Sequence, residues 1–164
     1  MGPDFQVTFP VFSLNVLLFE VARQRYALPM HSVKEIIRAV SVSVLPEAPP
    51  IVAGVINVRG SIIPVLNMRA RFGADARAVH PSEHFIIVDE QHRLMALRVD
   101  RAVEMAQVED AEIEKVAGVA GAAPYVVGAL KMTDGLVLIH DPAAFLSEAE
   151  SIALSTAMSA QEDG

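Results

Sequence analysis

The 164-residue chain is 52% apolar and carries 20 acidic against 13 basic side chains, a net charge of −7. That apolar content excludes a largely disordered chain, and the length predicts one domain burying about 70% of its unfolded surface. The negative charge, unrelieved by any basic cluster in the sequence, speaks against nucleic acid. With no cysteine there are no disulfides, thiolate metal sites or cysteine nucleophile.

In chain order, residues 1–14 read as a leader with two proline-marked breaks. No Lys or Arg precedes Arg23, and Asp4, Pro10, Asn15 and Glu20 interrupt the apolar run, which does not fit a secretory signal. Nothing approaches ~18 uninterrupted apolar residues, so no membrane span is expected and a soluble cytoplasmic protein is the plain reading. Residues 15–21 and 26–30 are predicted strands around a turn at 22–25. Val33, Ile36 and Ile37 fall at helical spacing and predict a short helix over 31–39. Alternating Val and Ser over 40–45 predicts a half-buried strand. The proline-rich 46–50 is an extended connector.

Residues 54–72, GVINVRGSIIPVLNMRARF, are the stretch around which the chain is organised. Two short β-branched runs flank Arg59-Gly60-Ser61, the pattern of a hairpin. Strand periodicity puts Val55, Asn57 and Arg59 on one face and Ile56 and Val58 on the other. Arg59 then stands at a hairpin tip. Pro64 lacks an N–H, so its strand is expected at an edge or with a bulge. Asn67 is a predicted cap for a helical turn over 68–72, ended by Gly73.

After a polar loop at 73–82 the pattern starts again. Strands are predicted at 84–88, 94–99 and 103–108, then a short acidic helix at 109–116 and a small-residue loop at 117–124. A second hairpin, 125–132 with 136–139, turns at Thr133-Asp134-Gly135. Asp141-Pro142 reads as a helix start, with Phe145, Leu146, Ala149, Ile152 and Ala153 as the apolar stripe. Residues 155–164 are read as a flexible tail. The halves align: Gly54 falls on Gly128, Asn67 on Asp141, and Glu35 on Glu104. Two similar small β-barrels side by side are the simplest structure for that repeat, with lobes over 15–77 and 83–150.

Preceded by Leu45-Pro46-Glu47-Ala48-Pro49-Pro50, the 54–72 stretch resembles the CheW-like coupling proteins of bacterial chemosensory systems. Their signature, G-V-x-N-x-R-G-x-x-x-P-V-x-D-L-R, is matched at nearly every position here, with Asn67 standing where the family usually has Asp. The first turn, 22–25, also departs from the common Gly-Asp type and is expected to be looser. The resemblance implies a mainly β fold of two SH3-like five-stranded barrels packed side by side, with short helices, a C-terminal helix and a groove between the lobes. It implies no catalysis and no cofactor. As partners it implies the cytoplasmic tip of a methyl-accepting chemoreceptor, the regulatory domain of a chemosensory histidine kinase, and other CheW-like domains through exposed apolar flanks. A cytoplasmic protein recruited to membrane-associated receptor arrays follows from that. Val33, Glu35, Ile36, Gly54, Asn57, Arg59 and Gly60 are the partner-binding positions the resemblance singles out, and Asp100 is given a structural, turn-closing role.

Each candidate also has a plainer reading. Arg59 could be a surface arginine paired with a nearby acid or clamping a turn, and Asn57 a local turn former. Glu104 and the acidic run 109–114 read as solvated faces. His80 and His84 are separated by Pro81, and no histidine lies in a metal-binding helix pattern. His140 beside Asp141 suggests a catalytic dyad, but the Asp-Pro helix start explains Asp141 better. The rival to an adaptor is a small double-barrel module for a peptide or ligand.

Overall fold

The structure is a computed structural model that describes residues 13–90, 93–115, 125–133 and 135–162. Expectations for residues 1–12, for the turn at 91–92, for the loop at 117–124, and for Asp134 and 163–164 lie outside the described residues. Strands β1 (Ser13–Val21) and β2 (Gln24–Pro29) form a hairpin, followed by β3 (Val33–Arg38), β4 (Val52–Val58), β5 (Ser61–Asn67) and the helical turn α1 (Met68–Arg71). A second hairpin, β6 (His84–Glu90) and β7 (Arg93–Val99), leads to β8 (Arg101–Glu109), β9 (Ile113–Lys115), β10 (Val126–Met132), β11 (Gly135–His140) and the helix α2 (Glu148–Glu162).

These strands form two sheets, one ordered β8-β1-β2-β11-β10-β9 and the other β3-β6-β7-β5-β4, here barrels A and B. Five strands of barrel A correspond in order to the five of barrel B, and β9 is an additional sixth in A. In each, a hairpin joins the others by one parallel pairing, β2 with β11 in A and β7 with β5 in B. Gly54 and Gly128 both lie at register shifts beside their hairpin partners. Asn67 and Asp141 both cap the turn that follows, accepting from the Ala70 and Ala143 N–H groups.

The lobes are nevertheless not contiguous, as the 15–77 and 83–150 division would have them. Each barrel takes its hairpin from one half of the chain and its other strands from the other half: β1–β2 belong with β8–β11, and β6–β7 with β3–β5. A repeat in sequence fixes the order of elements in each half, but not which half's hairpin each sheet takes up.

Three apolar clusters result. Leu18, Leu130 and Ile139 lie in the core of barrel A, and Ile56, Phe85 and Ala96 in that of barrel B. The third and largest fills the space between the sheets with Leu17, Phe19, Ile86, Val88, Leu97 and Phe145. Alternation along β1 sends Val16 and Leu18 into barrel A and Leu17 and Phe19 between the barrels. The centres of β1 (residues 16–19) and β6 (residues 85–88) are therefore buried on both faces and read as short apolar runs.

Several local expectations need correction. Residues 33–38 are a strand, not a helix: Val33, Glu35 and Ile37 are half-buried while Lys34, Ile36 and Arg38 are exposed. Helical spacing and strand alternation overlap in so short a run, and the β-branched content was the better guide. Residues 40–45 form no extended strand; Ser43 pairs with Val55 in an isolated bridge, and Val42 and Leu45 pack onto the apolar clusters. The predicted acidic helix is a single 3-10 turn, Asp110–Glu112, leading into β9. β5 is not an edge strand, but its pairing with β7 begins at Val65, one residue past Pro64. Asp141-Pro142 starts only a 3-10 turn. The helix begins at Glu148, capped by Ser147, whose hydroxyl accepts from the Glu150 N–H while Glu150 accepts from the Ser147 N–H. It then runs through the expected tail to Glu162, held by the buried Leu154 and Ala157.

Candidate functional site

Barrel B ends in the turn Arg59-Gly60 between β4 and β5. Val58 pairs with Ser61, so the tip is a two-residue hairpin loop, with φ +50° at Arg59 and +90° at Gly60. Both residues lie in the left-handed region, as such a tight hairpin turn requires. Asn57 Oδ1 accepts from the Gly60 N–H at 2.9 Å and braces it. Asn57 is thus the turn former, while Arg59 projects from the tip.

The Arg59 guanidinium reaches Glu35 on β3 and forms an ion pair with it. β3 and β4 are the two outer strands of barrel B, so this contact spans its open side. The Ser43–Val55 bridge lies on the β4 side, with N···O distances of 2.9 and 2.8 Å. Of the seven positions singled out in the sequence, Glu35, Asn57, Arg59 and Gly60 come together at this rim. The register shift between Val33 and Glu35 turns Val33 to the face opposite Glu35, against the inter-barrel core. Ile36 also lies opposite Glu35 and is 40% exposed. Gly54 lies under the rim, where its α-carbon backs onto the Ser43 carbonyl. Beside the hairpin, an open cleft of about 500 Å³ runs between β5 and α2, lined by Ile62, Pro64, Leu94, Ser155 and Met158 among others.

A charged network missed from sequence joins the barrels at the end of β5 away from the Arg59 tip. Glu83, fully buried, binds Arg98 Nε at 2.7 Å and Arg77 at 3.3 Å. Asp100 takes both oxygens to Arg69 Nη1 at 3.0 Å and accepts from the Ala22 N–H at 2.7 Å. Asp100 does close a turn, the β1–β2 turn across the barrel junction. A charge between apolar residues, as Arg98 is between Leu97 and Val99, was the available signal for the rest.

His140 and Asp141 have separate structural tasks. The Asp141 carboxylate caps the 3-10 turn at Ala143. The imidazole is buried against Tyr26, Phe72, Tyr125 and Phe145, with Nδ1 3.0 Å from the Leu138 carbonyl. Burial lowers its pKa from 6.5 to about 4, against the opposing pull of that hydrogen bond. Because the unfolded chain takes up this proton first, stability falls as pH drops from about 6.5 towards 4, by up to about 3 kcal/mol. Urea unfolding across that window should show the slope, and His140→Phe should flatten it. Among the described residues no three His, Asp or Glu side chains gather as a metal site.

The fold is thus a duplicated, interlaced pair of small barrels with an arginine-tipped rim. The CheW-like domain model matches residues 15–150, and the chain belongs to that family. A chemotaxis protein CheW of Rhizobium meliloti is 32% identical over 108 residues, covering 65% of this chain and 68% of that protein. One from Helicobacter pylori is 26% identical over 103 residues, covering 63% of this chain and 62% of that protein. The crystal structure of the scaffolding protein TtCheW from Thermoanaerobacter tengcongensis superposes with a TM-score of 0.77 at 28% identity. It covers 85% of this chain and 96% of that one.

Proposed function

We propose that this chain is a non-catalytic adaptor that couples the cytoplasmic tip of a methyl-accepting chemoreceptor to the regulatory domain of a chemosensory histidine kinase. Its working surface is the rim of barrel B, where Glu35, Asn57, Arg59 and Gly60 meet, with the exposed Ile36 on β3 adding to it and Val33 and Gly54 shaping the strands beneath. Partner contacts favoured in one receptor state shift the kinase between on and off. The adaptor acts in the cytoplasm, recruited to receptor arrays at the membrane, and other CheW-like domains join it barrel to barrel.

The observation that carries this reading is the Arg59 tip. An L-residue in the left-handed region costs roughly 1–2 kcal/mol, and an exposed ion pair returns at most about 1 kcal/mol. Arg59 is 71% exposed on its side chain, so stability does not explain it. Position does: a planar fork is held where it can exchange Glu35 for a partner's carboxylate.

Arg59→Asn separates the two roles, because Asn tolerates the left-handed turn. Binding of a purified receptor signalling fragment and of a kinase regulatory domain is measured by calorimetry, alongside the melting temperature. The expected result is affinity for at least one partner reduced by about tenfold or more, with no loss of thermal stability. Unchanged affinity for both would remove Arg59 from the working surface.

A further inference from the structure

The leader is an apolar stretch for which the rim of barrel B has no use. Residues 4–9, D-F-Q-V-T-F, place Phe5, Val7 and Phe9 at alternate positions, the pattern of a strand with one apolar face. Asp4 is the only charged side chain before β1. Pro10 favours an extended Phe9 and interrupts any ladder there, which leaves residues 10–12 to lead the chain into Ser13. Ser13 opens β1 opposite Glu109, the last residue of β8.

β8 ends its sheet, so its edge away from β1 has no neighbouring strand among the described residues. Apolar side chains lie exposed beside that edge. Met105 on β8 pairs with Leu17, and Ile36 on β3, an end strand of the other sheet, pairs with Ile86. Directly opposed residues share a face, and Leu17 and Ile86 both belong to the inter-barrel cluster. Met105 and Ile36 therefore look onto the mouth between the barrels, 67% and 40% exposed. The two edges come together where the Ala102 N–H donates to His84 Nδ1 at 3.1 Å. His84 is itself paired with Arg38 at the end of β3, and Arg38 is exposed, with no ion-pair partner among the described residues.

We infer that residues 4–9 of the leader fold back as an added strand on the free edge of β8, with Phe5, Val7 and Phe9 over the inter-barrel mouth and Asp4 towards Arg38. Length permits it. The leader must cross β8 to leave β1, two strand spacings or about 10 Å, and residues 10–12 reach about that far. A strand over residues 4–9 then covers about 20 Å of a β1–β8 ladder about 25 Å long, so Asp4 ends near the Arg38 end. Charge agrees, since an acid meets an unpaired guanidinium. The leader is thus a strap over the apolar mouth, and any partner seated on Met105 and Ile36 competes with it. The strap involves neither Glu35 nor Arg59 and does not rest on the proposed coupling role.

The chain has no cysteine, so Thr8→Cys takes a single nitroxide label on the polar face of the leader. The test is paramagnetic broadening of backbone amide signals in the full chain, with folding checked by circular dichroism. The expected result is broadening centred on β8 around Met105 and on β3 around Ile36. Replacing Phe5, Val7 and Phe9 together by Ser should abolish it. The same triple variant should raise hydrogen exchange by about tenfold or more at β8 amides that face away from β1. Asp4→Lys should shift the broadening away from Arg38. A label that broadens neither strand, broadening spread evenly over the surface, or a triple variant that behaves like the parent would each overturn the proposal. So would broadening carried only between copies, read by mixing the spin-labelled chain with an isotope-enriched chain that lacks the label.

Discussion

Glu83→Ala should lower the unfolding free energy by about 3–5 kcal/mol, the expected loss when one partner of a buried ion pair is removed. Glu83 is fully buried and Arg98 is 5% exposed. The carboxylate meets Arg98 at 2.7 and 3.3 Å and Arg77 Nη2 at 3.3 Å, and accepts from the His80 N–H at 3.2 Å. Truncation removes all of these acceptor sites. It leaves the Arg98 guanidinium in an apolar interior with only the Arg77 carbonyl, at 2.8 Å, as a listener for its charge. A buried cation in that state is far costlier than the pair was worth.

The damage would also be local. The crossover from α1 to β6 is held by these contacts, and Arg77 links them to Asp100 and the β1–β2 turn. Urea unfolding of Glu83→Ala is compared with the double variant Glu83→Leu/Arg98→Met. The double variant should recover most of the loss, because two apolar groups leave no buried charge unpaired. A single variant that loses under about 1 kcal/mol would mean that water or a repositioned chain reaches Arg98 readily.

Much of this molecule was legible in the sequence, and what was not has physical causes. The Arg59-Gly60 tip and the repeat of Gly54 at Gly128 follow from local rules: a short β-branched run either side of a turn dipeptide, and a glycine where a strand must bulge. The ion pair of Arg59 with Glu35 was open as a possibility, but joining the outer strands of one barrel depends on sheet curvature, which no local pattern carries. The exchange of hairpins between the halves is likewise a matter of long-range pairing. Residues 33–38 misled because Val33, Ile36 and Ile37 fall at helical spacing, and a register shift between Val33 and Glu35 breaks the strand alternation that would have competed with it. The Glu83–Arg98 pair was invisible because its partners lie 15 residues apart, meeting only where the open end of the β6–β7 hairpin is buried. The tight Ala22-Arg23 turn escaped because its stabiliser, Asp100, is 78 residues away.

Gly54→Ala is expected to cost about 3 kcal/mol or more, and to weaken partner binding without removing any partner contact. A Cβ at position 54 would lie 2.1 Å from the Ser43 carbonyl oxygen and 2.7 Å from Val42 Cγ1, on a backbone with φ +150°. The obstacle is main chain, so rotamer adjustment does not relieve it. Either β4 moves or residues 42–45 are pushed away, and both break the paired hydrogen bonds between Ser43 and Val55. Gly60→Ala is the natural comparison, since nothing lies within 4 Å of its added Cβ and only the φ of +90° opposes it. It should cost about 1 kcal/mol. Gly128→Ala falls between them, because the 2.8 Å neighbour is the Ile113 side chain, which can shift. Urea unfolding ranks the three, and hydrogen exchange at the Ser43 and Val55 amides reports whether the edge of barrel B has opened. If Gly54→Ala proves as mild as Gly60→Ala, the 42–45 segment yields freely and does not fix β4. If instead those amides lose protection, Gly54 shapes the rim rather than touching a partner: it sets the β4 path that aims Arg59 at Glu35.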